Sequence, residues 1–140
     1  MMRIFLDANI LVSVLNKEYP LFSYTARLLS LTRYKEFTLI TSSVCLAIAF
    51  YFAEKKHGTL LARRKIALLL EHIEVADCGE KEAKMAIQNM QAHDFEDALQ
   101  YYCAVHAGCE YIITNDLNDF YFAEIRVLTP DTFLMSYVPR

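Results

Sequence analysis

The pattern that most constrains this chain is an alternation of two periodicities. Segments 3–6, 38–40, 73–76, 111–114 and 126–128 are short, apolar and rich in Ile, Leu, Val, Phe and Tyr, and read as buried strands. Between them, segments 21–34, 43–56, 60–72, 81–91 and 94–106 carry apolar residues at helical spacing. The stretch 43–56 is apolar almost all round and is expected to lie deep in the fold. No tight hairpin signal separates any two strands. Strands that alternate with helices and never turn directly back make a parallel sheet with helices on both faces. The expected class is therefore α/β, with a central parallel sheet of about five strands.

Size and composition agree with this class. The chain has 140 residues, the size of one ordinary domain, and 55% of them are hydrophobic. Gly and Pro number three each, which favours regular elements joined by short loops. Charged residues, at 22%, are too ordinary a share for a disordered chain. A net charge of −3 argues against a surface that holds nucleic acid by Lys and Arg alone. A cation held by carboxylates offers another route to phosphate. Cys45, Cys78, Cys103 and Cys109 form no CxxC pair and sit mostly among apolar neighbours, so all four are expected to be reduced core thiols. No signal peptide is legible, and the longest apolar run, 44–53, is too short to span a bilayer. The expected location is the cytoplasm, away from any membrane.

In open parallel sheets, ligands bind at the carboxyl ends of the strands, where the strand order reverses. Asp7 directly follows the first strand, and Asp116 follows the strand at 111–114 after one residue. The helix 94–106 must run antiparallel to the strand it feeds. At 1.5 Å per residue it spans roughly 20 Å, enough to return its N-terminus to the same edge. Asp94 and Asp97 share a face of its first turn.

Each acid also has a plain structural reading. Asp94 is a good N-cap with Asp97 at the capping-box position. Asp116 can cap a short turn that runs through Asp119. Asp7 is harder to dismiss, because an unpaired Asp at the end of a buried strand costs several kcal/mol. Together, Asp7, Asp97 and Asp116 would repel one another, and no Lys or Arg stands within their motifs. A divalent cation resolves that repulsion. Mg²⁺ and Mn²⁺ favour oxygen ligands, and such an ion activates water for attack on a phosphodiester. Asp7, Asp97 and Asp116 are thus the candidate catalytic and metal-holding residues. Asn9, Ser42, Asp94, Glu96, Thr114 and Asp119 are candidate supporting residues.

Three motifs then carry a resemblance. Phe5-Leu6-Asp7-Ala8-Asn9-Ile10-Leu11 resembles the opening motif of PIN-domain proteins. Asp94-Phe95-Glu96-Asp97-Ala98-Leu99-Gln100 resembles their third acidic motif, and Ile112-Ile113-Thr114-Asn115-Asp116-Leu117-Asn118-Asp119-Phe120 their closing one. The ending Val127-Leu128-Thr129-Pro130-Asp131-Thr132-Phe133-Leu134 resembles the last strand and short helix of these proteins. The resemblance implies a single three-layer α/β/α domain over residues 1–140 and Mg²⁺- or Mn²⁺-dependent endoribonuclease activity. It also implies the toxin role of the VapC-like members, often homodimeric and held inactive by a small antitoxin.

One departure stands out. The family's second acid is usually a Glu on the helix after the second strand, and Ile48 falls at that place. Glu54 lies six residues on, about 240° around the helix, and cannot simply replace it. A weakened PIN domain that binds RNA or protein without turnover is therefore the alternative. An aspartyl-phosphate mechanism fits poorly, since Asn9 stands where haloacid-dehalogenase-like enzymes carry a second Asp. His57, His72, His93 and His106 share no ligand spacing. Arg63-Arg64-Lys65 reads as a solvated helix face, with contact to an RNA backbone as the alternative. Tyr101 and Tyr102 read as core, with base stacking or dimer packing as the alternative.

Overall fold

The computed structural model describes residues 2–137. Its centre is a five-stranded, all-parallel sheet in the order β3-β2-β1-β4-β5. The strands are β1 (Met2–Leu6), β2 (Phe37–Ser42), β3 (Glu74–Ala76), β4 (Tyr111–Ile113) and β5 (Arg126–Leu128). Ile4, Phe5 and Leu6 of β1, Leu39 and Ile40 of β2, and Ile112 and Ile113 of β4 are almost wholly buried. These inner strands have helices over both faces, which explains their continuous apolar runs. The expected strands are all present, within one or two residues at their ends.

Among the described residues seven α-helices cover the sheet: α1 (Ala8–Asn16), α2 (Phe22–Ser30), α3 (Ser43–His57), α4 (Thr59–Leu70), α5 (Glu80–Gln88), α6 (Phe95–His106) and α7 (Pro130–Tyr137). α1 packs on α2 and α3, α3 on α4, and α2 on α7, while α5 and α6 form a separate pair. These two groups are the outer layers of the expected α/β/α sandwich. Among the described residues no helix is long and apolar enough to cross a membrane.

Chain order decides where a site can form. The chain steps outward from β1 through β2 to β3, then crosses back through α5 and α6 to β4 on the other side of β1. The order therefore reverses between β1 and β4. Leu6 pairs with Ile113 there, so Asp7 and Thr114 leave the sheet side by side.

Three local expectations need correction. α1 starts immediately after Asp7 and has no counterpart among the expected helices. Its polar residues, Asn9, Ser13 and Asn16, do recur at helical spacing, but the helix is only nine residues long. α3 is not deeply buried. Only Cys45, Ala49 and Ala53 are buried on it, a stripe of small side chains at intervals of four, while Tyr51 and Phe52 are 53% and 44% exposed. Leu46, Ile48 and Phe50 are only partly buried against the core beside that stripe.

The third correction concerns the cysteines. Cys78 and Cys103 form a disulfide, with Cα atoms 5.4 Å apart, while Cys45 and Cys109 are free and buried. Burial pushes both free thiols up to about 12. Cys78 leads from β3 into α5 and Cys103 lies on α6, so only the docking of these two helices brings the sulfurs together. A spacing of 25 residues carries no signal of that contact. The Glu82 carboxylate, paired with His106, ties the same two helices. Closing a loop of this length is worth about 3 kcal/mol by the chain-entropy argument. Reduction with a phosphine should therefore lower Tm by about 10 °C. Thermal unfolding with and without the reductant checks this, with Cys78→Ser as the control that no longer responds.

Candidate active site

Asp7 is the first residue beyond β1 and the N-cap of α1. Its Oδ1 accepts the Ala8 amide at 2.8 Å, and its Oδ2 accepts the Thr114 hydroxyl at 2.9 Å and Asn9 Nδ2 at 3.4 Å. Asn9 also donates to Thr114 Oγ1 at 3.1 Å and accepts the Asn115 amide through Oδ1 at 3.1 Å. Thr114 Oγ1 accepts the Asp116 amide as well. Asn9 and Thr114 thus fasten the end of β1 to the end of β4 and fix the Asp7 carboxylate between them.

α6 supplies the facing acids. Asp94 is its N-cap, and Asp94 Oδ1 accepts the Asp97 amide at 2.9 Å. The Asp97 carboxyl is hydrogen-bonded to that of Asp94 and lies within electrostatic reach of Asp7. Asp7 and Asp97 line one cavity of about 410 Å³, together with Asn9, Glu96, Asn115 and Asp119. Val12, Leu21, Ile48 and Phe52 line it on the apolar side, with Glu18. Among the described residues no Lys or Arg lines it.

The electrostatics follow from burial and crowding. Asp7 is 7% exposed. Desolvation lifts its pKa to about 6, against the Ala8 and Thr114 hydrogen bonds, and Asp119 and Glu96 add repulsion. Asp97, also 7% exposed, is lifted to about 8 by burial, then by Asp119, Asp94 and Asp7. Burial also raises Glu96, with Asp94 and Asp119 contributing, and raises Asp119, with Asp116 and Asp94 contributing. Four carboxyls thus hold one another away from the charged state.

The expected residues divide into two groups. Asp7, Asn9, Glu96, Asp97 and Asp119 come together around the cavity, with Thr114 behind Asp7. Asp116 is exposed and outside the lining. Its Oδ1 accepts the Asn118 amide at 3.2 Å and caps a 3-10 turn, Leu117–Phe120, that carries Asp119 to the cavity. Ser42 is fully buried. It caps α3 by accepting the Cys45 amide, and it donates to Gln100 Oε1, joining the end of β2 to α6. Ile48 does stand in the cavity wall. Glu54 does not, and its Oε2 accepts the Thr59 hydroxyl instead. Tyr101 is 7% exposed, and its hydroxyl accepts the Glu124 amide, which makes it a core residue. Val12, Glu18, Leu21 and Phe52 were not anticipated. The first three depend on where α1 and the turn after it run, while Phe52 lies one turn beyond Ile48 on α3.

A divalent cation suits this donor set. Mg²⁺ usually keeps several waters and takes one or two carboxylates. Among the described residues no group of three or more His, Cys, Asp or Glu side chains is placed to hold a metal ion. Asp7 and Asp97 are the two best-placed oxygen donors, with Asp119 and Glu96 beside them.

Fold and site together define a class: an open parallel α/β domain with a carboxylate cavity at its switch point. The profile of the PIN domain family matches residues 3–118, and the chain belongs to that family. A protein named Ribonuclease VapC1, from Aquifex aeolicus, is 30% identical over 137 residues, covering 94% of this chain and 92% of its own. Among solved structures, VapBC-1 from nontypeable Haemophilus influenzae superposes with a TM-score of 0.72 at 18% identity, over 93% of this chain and 99% of its own. VapC20 from Mycobacterium tuberculosis, described as a sarcin-ricin loop cleaving toxin, gives 0.66 at 18% identity, over 88% and 98%.

Proposed function

We propose that this chain is a divalent-cation-dependent endoribonuclease and the toxin of a toxin–antitoxin pair, formed by a single domain. The observation that carries the reading is the cavity itself. Asp7 and Asp97 are buried, mutually repelling and without a cationic side chain, at the switch point of a PIN-domain sheet. The likeness to Ribonuclease VapC1 supports it. Asp7 and Asp97 would hold Mg²⁺ or Mn²⁺, with Asp119 and Glu96 flanking it and Asp116 bracing the turn that presents Asp119. When bound, such an ion activates a water and stabilises charge on the phosphate. Asn9 and Thr114 hold Asp7 in its orientation. Ile48, Val12 and Phe52 keep one wall dry.

The toxin reading implies a small antitoxin partner, an RNA substrate, a homodimer and a cytoplasmic location. The thiol pool of that compartment works against disulfides. The Cys78–Cys103 bond is then expected to open there, at the stability cost given above.

Incubation of the purified protein with single-stranded RNA tests the activity. Cleavage should appear with Mn²⁺ or Mg²⁺ and stop with EDTA. The apolar Ile48 favours one other reading, a weakened PIN domain that binds without turnover. Retained Mn²⁺ binding with no cleavage under either ion would select it. Ile48→Glu should raise Mn²⁺ affinity about tenfold or more, because ligand charge tunes affinity. It should also destabilise the metal-free protein by adding a sixth carboxyl to the cavity lining. Calorimetric titration and thermal unfolding with EDTA check both effects.

A further inference from the structure

Among the described residues no Lys or Arg lines the acidic cavity, so an RNA strand must gain affinity beside it by other means. The rim on the Asp119 side offers one. His93, in the loop before α6, stacks on Tyr121 with ring centroids 4.6 Å apart and planes 34° apart. Tyr121 follows the turn that carries Asp119 and is 56% exposed. The His93 imidazole is close enough to Asp119 to draw its carboxyl down against the surrounding acids. His93 and Asp94 also line a smaller groove of about 190 Å³ with Phe95, which is 45% exposed. An open aromatic pair therefore abuts the carboxylate cavity through residues consecutive with Glu96 and Asp97.

We propose that the His93–Tyr121 pair is the platform on which a nucleobase of single-stranded RNA stacks, next to the phosphate held at the carboxylate cavity. This rests on the ribonuclease reading and specifies how that site holds its substrate. Every base has a π-face, so such a platform accepts any sequence. It supplies affinity beside a cavity that, among the described residues, no Lys or Arg lines. Its continuity with the cavity favours RNA over a protein occupant. The other aromatic pair considered, Tyr101 and Tyr102, has Tyr101 buried and cannot serve.

The test is a double-mutant cycle read by fluorescence anisotropy, with Mn²⁺ present and a cleavage-resistant 2′-O-methyl oligonucleotide of mixed sequence. Tyr121→Ala should weaken binding about 5- to 150-fold, the range for loss of one stacked base, while Tyr121→Phe stays near wild type. A set of oligonucleotides, each with one abasic position, should include one that binds wild type weakly and is indifferent to Tyr121→Ala. With cleavable RNA, Tyr121→Ala should raise KM and leave kcat within about twofold, a split that a merely structural role would not produce. Equal binding by wild type and Tyr121→Ala would overturn the platform while leaving the ribonuclease reading intact. So would a loss with Tyr121→Ala that no abasic position abolishes, which would mark a protein-facing surface. Absence of RNA binding by wild type would overturn both.

Discussion

Asp7→Asn should abolish RNA cleavage and Mn²⁺ binding together while leaving the fold standing. Asn is as good an N-cap as Asp, so the start of α1 is preserved. The buried charge that desolvation, Asp119 and Glu96 all oppose is removed, so the metal-free protein does not lose stability. What disappears is the anionic oxygen held by Thr114 and Asn9 at the mouth of the cavity. Residues that merely orient a metal ligand are worth 10- to 100-fold, so loss of the ligand itself should cost at least about 100-fold in cleavage rate. Single-turnover cleavage with Mn²⁺, beside calorimetric titration, measures both losses. A variant that still cleaves within about tenfold of wild type would remove Asp7 from the centre of the site. Asn9→Ala and Thr114→Val should show smaller losses in the same direction, since they act through Asp7.

The parts of this protein that were legible in its sequence are those set by local pattern. The apolar runs of β1 and β4, and the absence of hairpin turns, are enough for a parallel sheet. The switch-point rule then places Asp7 and the end of β4 together, which the Asp7–Thr114 hydrogen bond realises. The parts that were not legible depend on tertiary contact. Cys78 and Cys103 meet only because α5 docks on α6. The full burial on α3 falls on Cys45, Ala49 and Ala53, while the apolar Tyr51 and Phe52 stay half-exposed, which the uniform hydrophobicity of the segment does not show. Asp116 and Asp119 show a finer limit. Both lie in the closing motif, and the capping propensity of Asp116 was visible in advance. Asp116 Oδ1 accepts the Asn118 amide, and the turn this caps carries Asp119 to the cavity lining, which Asp116 itself does not join. Asp7 caps a helix and still lines the cavity, so capping propensity and spacing alone do not say which acid reaches the site.

Asp97→Asn should separate stability from activity, and the pH dependence gives its sign. In the folded protein Asp97 titrates at about 8 and Asp7 at about 6, both above the 3.8 of an unburied Asp. The folded state therefore binds these protons more tightly than the unfolded state. Their stabilising effect is complete below about pH 4 and is lost as pH rises through 6 and then 8. In EDTA the wild-type Tm should fall between pH 6 and 8. Glu82 and Asp131 are shifted downward, so their contributions change at more acidic pH, outside that window. A divalent ion takes the place of the protons. Added Mn²⁺ should raise Tm most at pH 8 and should release protons on binding near pH 7. Asp97→Asn removes the larger of the two titrations. It should flatten the decline above pH 7, raise the metal-free Tm at pH 8 by several degrees, and shrink the Mn²⁺-induced rise. Its cleavage rate should fall at least about 100-fold, as for Asp7→Asn. Thermal unfolding from pH 5 to 9 in EDTA and in Mn²⁺ gives the comparison. If wild type and variant decline alike between pH 7 and 8, Asp97 is not the group holding that proton, and the cavity is not strained by its charge.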